Sequence, residues 1–125
     1  MTSARFGSVV TAMVTPFAPD GALDLDAAAS VARHLADTGS DGLVVAGSTG
    51  EGSVLTDAER IDLFRAVVEA VTIPVVASSG TNDTAHSILM TREAAAAGAA
   101  GVLVVTPYYN RPYKVSCWRK MRFLL

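Results

Sequence analysis

Four runs of apolar, largely β-branched residues recur at a spacing of about thirty residues: Ser8-Val9-Val10-Thr11-Ala12-Met13-Val14, Leu43-Val44-Val45-Ala46, Val75-Val76-Ala77 and Val102-Leu103-Val104-Val105. They are near-continuous rather than alternating, as strands covered on both faces should be. Three segments of helical character separate them, and strand, helix, strand at this spacing is the signature of a parallel α/β sheet. Four strands and three helices make about half of a (β/α)8 TIM barrel, which needs about 250 residues. A complete small doubly wound sheet is the other architecture that this count allows.

Each intervening segment carries its own start and stop signals. The first follows the turn Asp20-Gly21, runs from about Asp24 to Thr38 with Leu25, Ala28, Ala32 and Leu35 on one face, and stops at Gly39. The second opens on Thr56-Asp57-Ala58-Glu59, a capping box whose hydroxyl and carboxylate satisfy exposed amides. Its expected buried stripe is Ile61, Phe64, Val68 and Val71, and it should end before Pro74. The third begins near Asn82-Asp83-Thr84, should bury Ile88, Thr91 and Ala95, and stops at Gly98. A glycine pair precedes the strand at both Gly39-Ser40-Asp41-Gly42 and Gly98-Ala99-Ala100-Gly101.

Composition narrows the class further. With 125 residues, half of them apolar and 18% charged, the chain is no disordered segment and can bury about two-thirds of its unfolded surface. Its single cysteine, Cys117, allows neither an internal disulfide nor a zinc cage, so a cytoplasmic protein is expected. The longest apolar stretch, Ala94 to Val105, falls short of the about 20 residues a bilayer requires, and Thr15-Pro16-Phe17 stands where a signal peptide would place small residues. Neither a membrane span nor a secretory signal is expected. Charge is uneven: residues 1–113 are net −6, whereas Lys114, Arg119, Lys120 and Arg122 give residues 114–125 a net +4. Four charges interspersed with Trp118, Phe123, Leu124 and Leu125 make a poor phosphate footprint, so no nucleic-acid partner is expected.

In either architecture ligands bind beyond the carboxyl ends of the strands. Those ends deliver Thr15-Pro16-Phe17, Gly47-Ser48-Thr49-Gly50-Glu51-Gly52, Ser78-Ser79-Gly80-Thr81-Asn82 and Thr106-Pro107-Tyr108-Tyr109-Asn110-Arg111-Pro112. The second is the richest, since glycines let the backbone approach a ligand and successive amides with two hydroxyls suit a carboxylate or phosphate. It is neither a Walker loop, a dinucleotide fingerprint nor a nucleophile elbow. A glycine-rich βα turn with no ligand is the competing reading. Tyr108 and Tyr109 offer phenols for proton relay, or rings for an interface. His34 and His86 fall within helices of the outer shell, as solvated or capping residues, and Glu51 and Asp83 read equally well as helix N-terminal acids.

Thr15-Pro16-Phe17, Gly47-Ser48-Thr49-Gly50-Glu51 and Thr106-Pro107-Tyr108-Tyr109-Asn110-Arg111-Pro112 together resemble the N-terminal half of the 4-hydroxy-tetrahydrodipicolinate synthase (dihydrodipicolinate synthase) family. The glycine-rich motif alone fits the wider pyruvate-dependent class I aldolases, N-acetylneuraminate lyase included; the Pro-Tyr-Tyr-Asn-Arg-Pro run favours the synthase. The resemblance implies a lyase of lysine (diaminopimelate) biosynthesis that condenses pyruvate with aspartate semialdehyde through a lysine Schiff base, with no cofactor and no metal. It implies that Thr49 binds the pyruvate carboxylate. Ser48, where the synthase more often has threonine, links two tyrosines in a proton relay. Tyr109 is one of them, reaching across a tight interface of a dimer or tetramer. Asn82 matches a residue of the allosteric lysine site in regulated members, and His86 stands where those members carry an acid. Residues 1–112 are thus expected to form half a barrel and residues 113–125 a basic tail outside the family pattern. After Pro112 the family continues to the second relay tyrosine, a substrate-binding arginine and the Schiff-base lysine; none has a counterpart here, and Lys114 and Lys120 match no strand position that could replace the lysine, so this chain alone is expected to be inactive. A non-catalytic truncated or interaction subunit is the other outcome.

Overall fold

The computed structural model describes residues 5–109; Asn110 to Pro112 and the basic tail, with Cys117 and both lysines, lie outside the described residues. The order is β1 (Val10–Ala12), α1 (Leu25–Asp37), β2 (Gly42–Val45), α2 (Asp57–Ala70), β3 (Val75–Ser78), α3 (Thr84–Ala96) and β4 (Gly101–Leu103). All neighbouring strands are parallel, and their order in the sheet is β1-β2-β3-β4. Strand order never reverses, so there is no switch point and the doubly wound alternative falls. A sheet that adds each strand on the same side, with α1 packed on α2 and α2 on α3, is the first half of a (β/α)8 barrel.

The helix ends follow from local chemistry. Asp24 caps α1 by accepting from the Ala27 N–H at 2.9 Å, and Asp83 caps α3 by accepting from Ala85 at 2.8 Å and His86 at 3.3 Å. The capping box of α2 is complete: the Glu59 N–H donates to the Thr56 hydroxyl at 3.3 Å, and the Thr56 N–H donates to the Glu59 carboxylate at 2.8 Å. Left-handed glycines, Gly39 and Gly98, follow α1 and α3.

Two helices bury a stripe shifted from the expected one, with Phe64 of α2 buried as expected. In α2 the buried residues are Arg60, Leu63, Phe64 and Val67, while Ile61 and Val68 are half-buried and Val71 is the C-cap. In α3 they are Ser87, Met90 and Ala94, one position before Ile88, Thr91 and Ala95, and Ala95 is exposed. Both segments carry apolar residues on more than one face, so periodicity alone did not choose the face; the sheet did, by taking Leu63 and Met90 into its core. In α1, Ala28 and Ala32 are buried as expected.

β1 is shorter than its apolar run at both ends. Ser8 and Val9 do not extend β1, because their amides donate to the Asp41 carboxylate at 2.7 and 2.8 Å instead of to a neighbouring strand. Leu43, Val45, Val75 and Ala77 face the helices and are buried. Side chains alternate across a strand, and partners in register share a face, so Val10, Ala12, Val44, Val76 and Leu103 lie on the other side of the sheet. That face is not covered by the described residues: Val10 and Leu103 are exposed, correcting the expectation of strands covered on both sides.

Candidate active site

The four strand-end segments leave the sheet at the same edge, as parallel strands require, the fourth being described as far as Tyr109. β2 ends where Ala46 turns left-handed, at φ 54°, which throws the chain into the loop Gly47–Gly52. The loop closes on itself: the Gly52 N–H donates to the Gly47 carbonyl at 3.0 Å and the Glu51 N–H to the Ser48 carbonyl at 3.2 Å. Gly52 is obligatory here, because a Cβ would stand 1.9 Å from the Ala46 carbonyl oxygen. From the segment that follows β1, the buried Thr15 hydroxyl donates to the Gly50 carbonyl at 2.6 Å. From α2, the Arg60 guanidinium donates to the Gly52 carbonyl. A loop that is loose by composition is therefore held in its middle and at its far end.

A cavity of about 280 Å³ opens beside this loop, lined among others by Ser48, Ser53, Arg60, Ser78, Thr81 and Tyr108, with Leu103 and Val105 as its apolar wall. It combines hydroxyl groups, a buried cation and a hydrophobic side, the ingredients for orienting a small organic acid. Arg60 is 7% exposed, and its Nε has no hydrogen-bond partner among the described residues. The next turn is equally built: the Ser87 hydroxyl accepts from the Thr81 N–H at 2.9 Å and donates to the Asp83 carbonyl at 2.7 Å, while the Ser79 and Thr91 hydroxyls lie 2.8 Å apart.

The expected site residues are distributed unevenly. Ser48 lines the cavity. Thr49 is exposed in the same loop but is not among the lining residues, and Tyr109 is 94% exposed in a left-handed backbone conformation, φ 65°. Tyr108, its neighbour, lines the cavity instead. Asp83 is a helix cap, whereas Glu51 sits in the loop with φ 52°, well before α2 begins. His34 is exposed on α1, and His86 pairs with Asp57, Nε2 lying 2.9 Å from a carboxylate oxygen, so it joins α2 to α3 rather than standing solvated. Arg60 was not foreseen; its signal was there, since Arg60, Leu63, Phe64 and Val67 are spaced as one helical face.

Two carboxylates are held below their ordinary range, Asp41 at the opposite, N-terminal end of the strands and Glu59 at the start of α2. Backbone donation from Val9, then from Ser8, holds Asp41 below the ordinary carboxylate range against a small opposing effect of burial. Glu59 is held low by the Thr56 amide first and its hydroxyl second. Among the described residues no group of three His, Cys, Asp or Glu gathers as a metal site, and no helix is long and apolar enough to cross a membrane.

With this geometry in place, known proteins bear on the chain. The model of the dihydrodipicolinate synthetase family matches residues 5–117. The 4-hydroxy-tetrahydrodipicolinate synthase 2 of Streptomyces coelicolor is 60% identical over 109 residues, covering 86% of this chain and 36% of that protein. Among solved structures, the dihydrodipicolinate synthase of Cyanidioschyzon merolae with lysine bound superposes with a TM-score of 0.93 at 43% identity, over 96% of this chain and 42% of that one. That of Acinetobacter baumannii complexed with pyruvate gives 0.91 at 29% identity, over 95% and 42%. The chain thus spans less than half the length of these relatives.

Proposed function

The chain belongs to the dihydrodipicolinate synthetase family, a family of lyases, and from that premise we propose that it forms the carboxylate-binding side of a site that condenses pyruvate with aspartate semialdehyde. On this reading a lysine forms a Schiff base with the keto carbon of pyruvate, releasing water, and the derived enamine carbon attacks the aldehyde. The product enters lysine (diaminopimelate) biosynthesis, in the cytoplasm. The observation that carries the reading is the tied loop Gly47–Gly52 at the C-terminal end of β2, with Ser48 lining a cavity of small-acid size.

The roles follow from the motif. Thr49 and the neighbouring amides fix the carboxylate, which orients the keto carbon toward the barrel axis. Ser48 passes a proton between tyrosine hydroxyls at the developing imine, and Tyr109 is one of these. Its nearly complete exposure in one chain suits a side chain that reaches into the site of a second copy in a homo-oligomer. No lysine stands on the four described strands, so the Schiff base is formed by a lysine of a later barrel strand and this chain alone does not turn over.

Titrating pyruvate onto the isotope-labelled chain tests this. The amides of Ser48 to Gly52 should shift saturably, Thr49→Val should abolish the shift, and borohydride should trap no pyruvate adduct. Absence of any shift in that loop would refute the carboxylate assignment.

A further inference from the structure

We propose that Arg60 is the positioning residue of the Gly47–Gly52 loop, a role that rests on the carboxylate-binding reading of that loop and adds a residue which touches no reacting atom. Three physical terms oppose an arginine here. Its side chain is buried, with Nε unpartnered; among the described residues no carboxylate lies within ion-pair distance of it; and it sits in the first turns of α2, where the helix end disfavours positive charge. The neighbouring acid, Glu59, is committed to the Thr56 cap.

Against those costs stands one specific contact. The guanidinium donates to the Gly52 carbonyl, and Gly52 is also the residue whose N–H returns to Gly47 and closes the loop. A charge-assisted bond at this knot fixes the far end of the segment that carries Ser48 and Thr49, while Thr15 fixes Gly50 between them. Arg60 also walls the cavity that Ser48 lines, so the tie and the ligand space share one side chain. A purely packing role, with the stem filling the stripe beside Leu63 and Phe64, predicts a different result on substitution.

The test compares the 125-residue chain with Arg60→Met, which keeps an apolar stem, and Arg60→Lys, which keeps a cation and a donor. Hydrogen exchange is read at the Glu51 and Gly52 amides, and pyruvate affinity from the shifts of Ser48 and Thr49. Arg60→Met should raise exchange at Glu51 and Gly52 about tenfold or more and weaken pyruvate by a similar factor, leaving β3 amides nearly unchanged. Arg60→Lys should recover most of both. Unchanged exchange in Arg60→Met, a rise spread evenly over β3, or a lysine variant no better than methionine would each overturn the proposal. Pyruvate indifference in the unsubstituted chain would refute the carboxylate reading instead, and the exchange pattern would still decide whether Arg60 holds the loop.

Discussion

The Thr15 hydroxyl donates to the Gly50 carbonyl across 2.6 Å, joining the segment that follows β1 to the middle of the loop after β2, 35 positions away. Thr15 is buried, so removing the hydroxyl leaves that carbonyl without its partner rather than returning it to water. Thr15→Val should therefore cost about 1–3 kcal/mol in urea unfolding and speed exchange in the Gly47–Gly52 loop. Thr15→Ser, which keeps the donor, should lose less on both counts.

Acid sensitivity should concentrate where Asp41 accepts from Ser8 and Val9. The folded-state pKa of Asp41 is depressed, so its contribution is complete above the ordinary carboxylate range, about pH 4, and disappears as pH falls through the lowered value. Within that window the unfolded chain binds more protons. Glu59 acts in the same direction at the start of α2. Asp41→Asn should lower stability at neutral pH and flatten the loss below about pH 4 in denaturant midpoints. A variant as acid-sensitive as the original chain would show that other carboxylates control acid unfolding.

The face that α3 buries can be tested with two adjacent alanines. Ala94 is fully buried against the sheet and Ala95 is exposed. Ala94→Leu must force a larger side chain into a packed layer and should cost about 1–3 kcal/mol. Ala95→Leu should stay within about 0.5 kcal/mol of the original chain. The reverse order in thermal melts would restore the stripe that periodicity suggested.

Much of this architecture is legible in the residues because the cues agree. Thr56 and Glu59 announce α2, Asp83 announces α3, and Gly39 and Gly98 close the preceding helices, since these are local bonds between near neighbours. The face that a helix presents is a tertiary choice: α3 offers Ile88 and Met90 alike, and only contact with the sheet selects Met90. Strand order settles between barrel and doubly wound sheet, and no local signal encodes it. In the candidate site the loop itself is visible from Gly47-Ser48-Thr49-Gly50-Glu51, but its ties are not. Thr15 and Arg60 reach it across 35 and 8 positions, and a charged residue within a helix reads as solvated until the fold buries it.

The side of the sheet opposite the helices gives the last prediction. Val10, Val14, Leu103 and Val105 are each between 39% and 53% exposed. By register and alternation they fall on the face where Val44 and Val76 also stand, and β1 and β4 are the two edge strands of the sheet. Among the described residues this apolar face is bordered by parallel edges with no further strand; such a face is one that water leaves readily, and such edges offer templates for further strands. The 125-residue chain should therefore bind a hydrophobic dye in its folded state and self-associate with rising concentration. Val10→Lys and Val14→Lys, which place charge on that face away from the lining of the cavity, should reduce dye binding and shift sedimentation toward smaller species, with the folded α1 and α2 signals retained. Dye binding and sedimentation unaffected by either lysine would mean that the exposed valines are not the surface through which the chain associates.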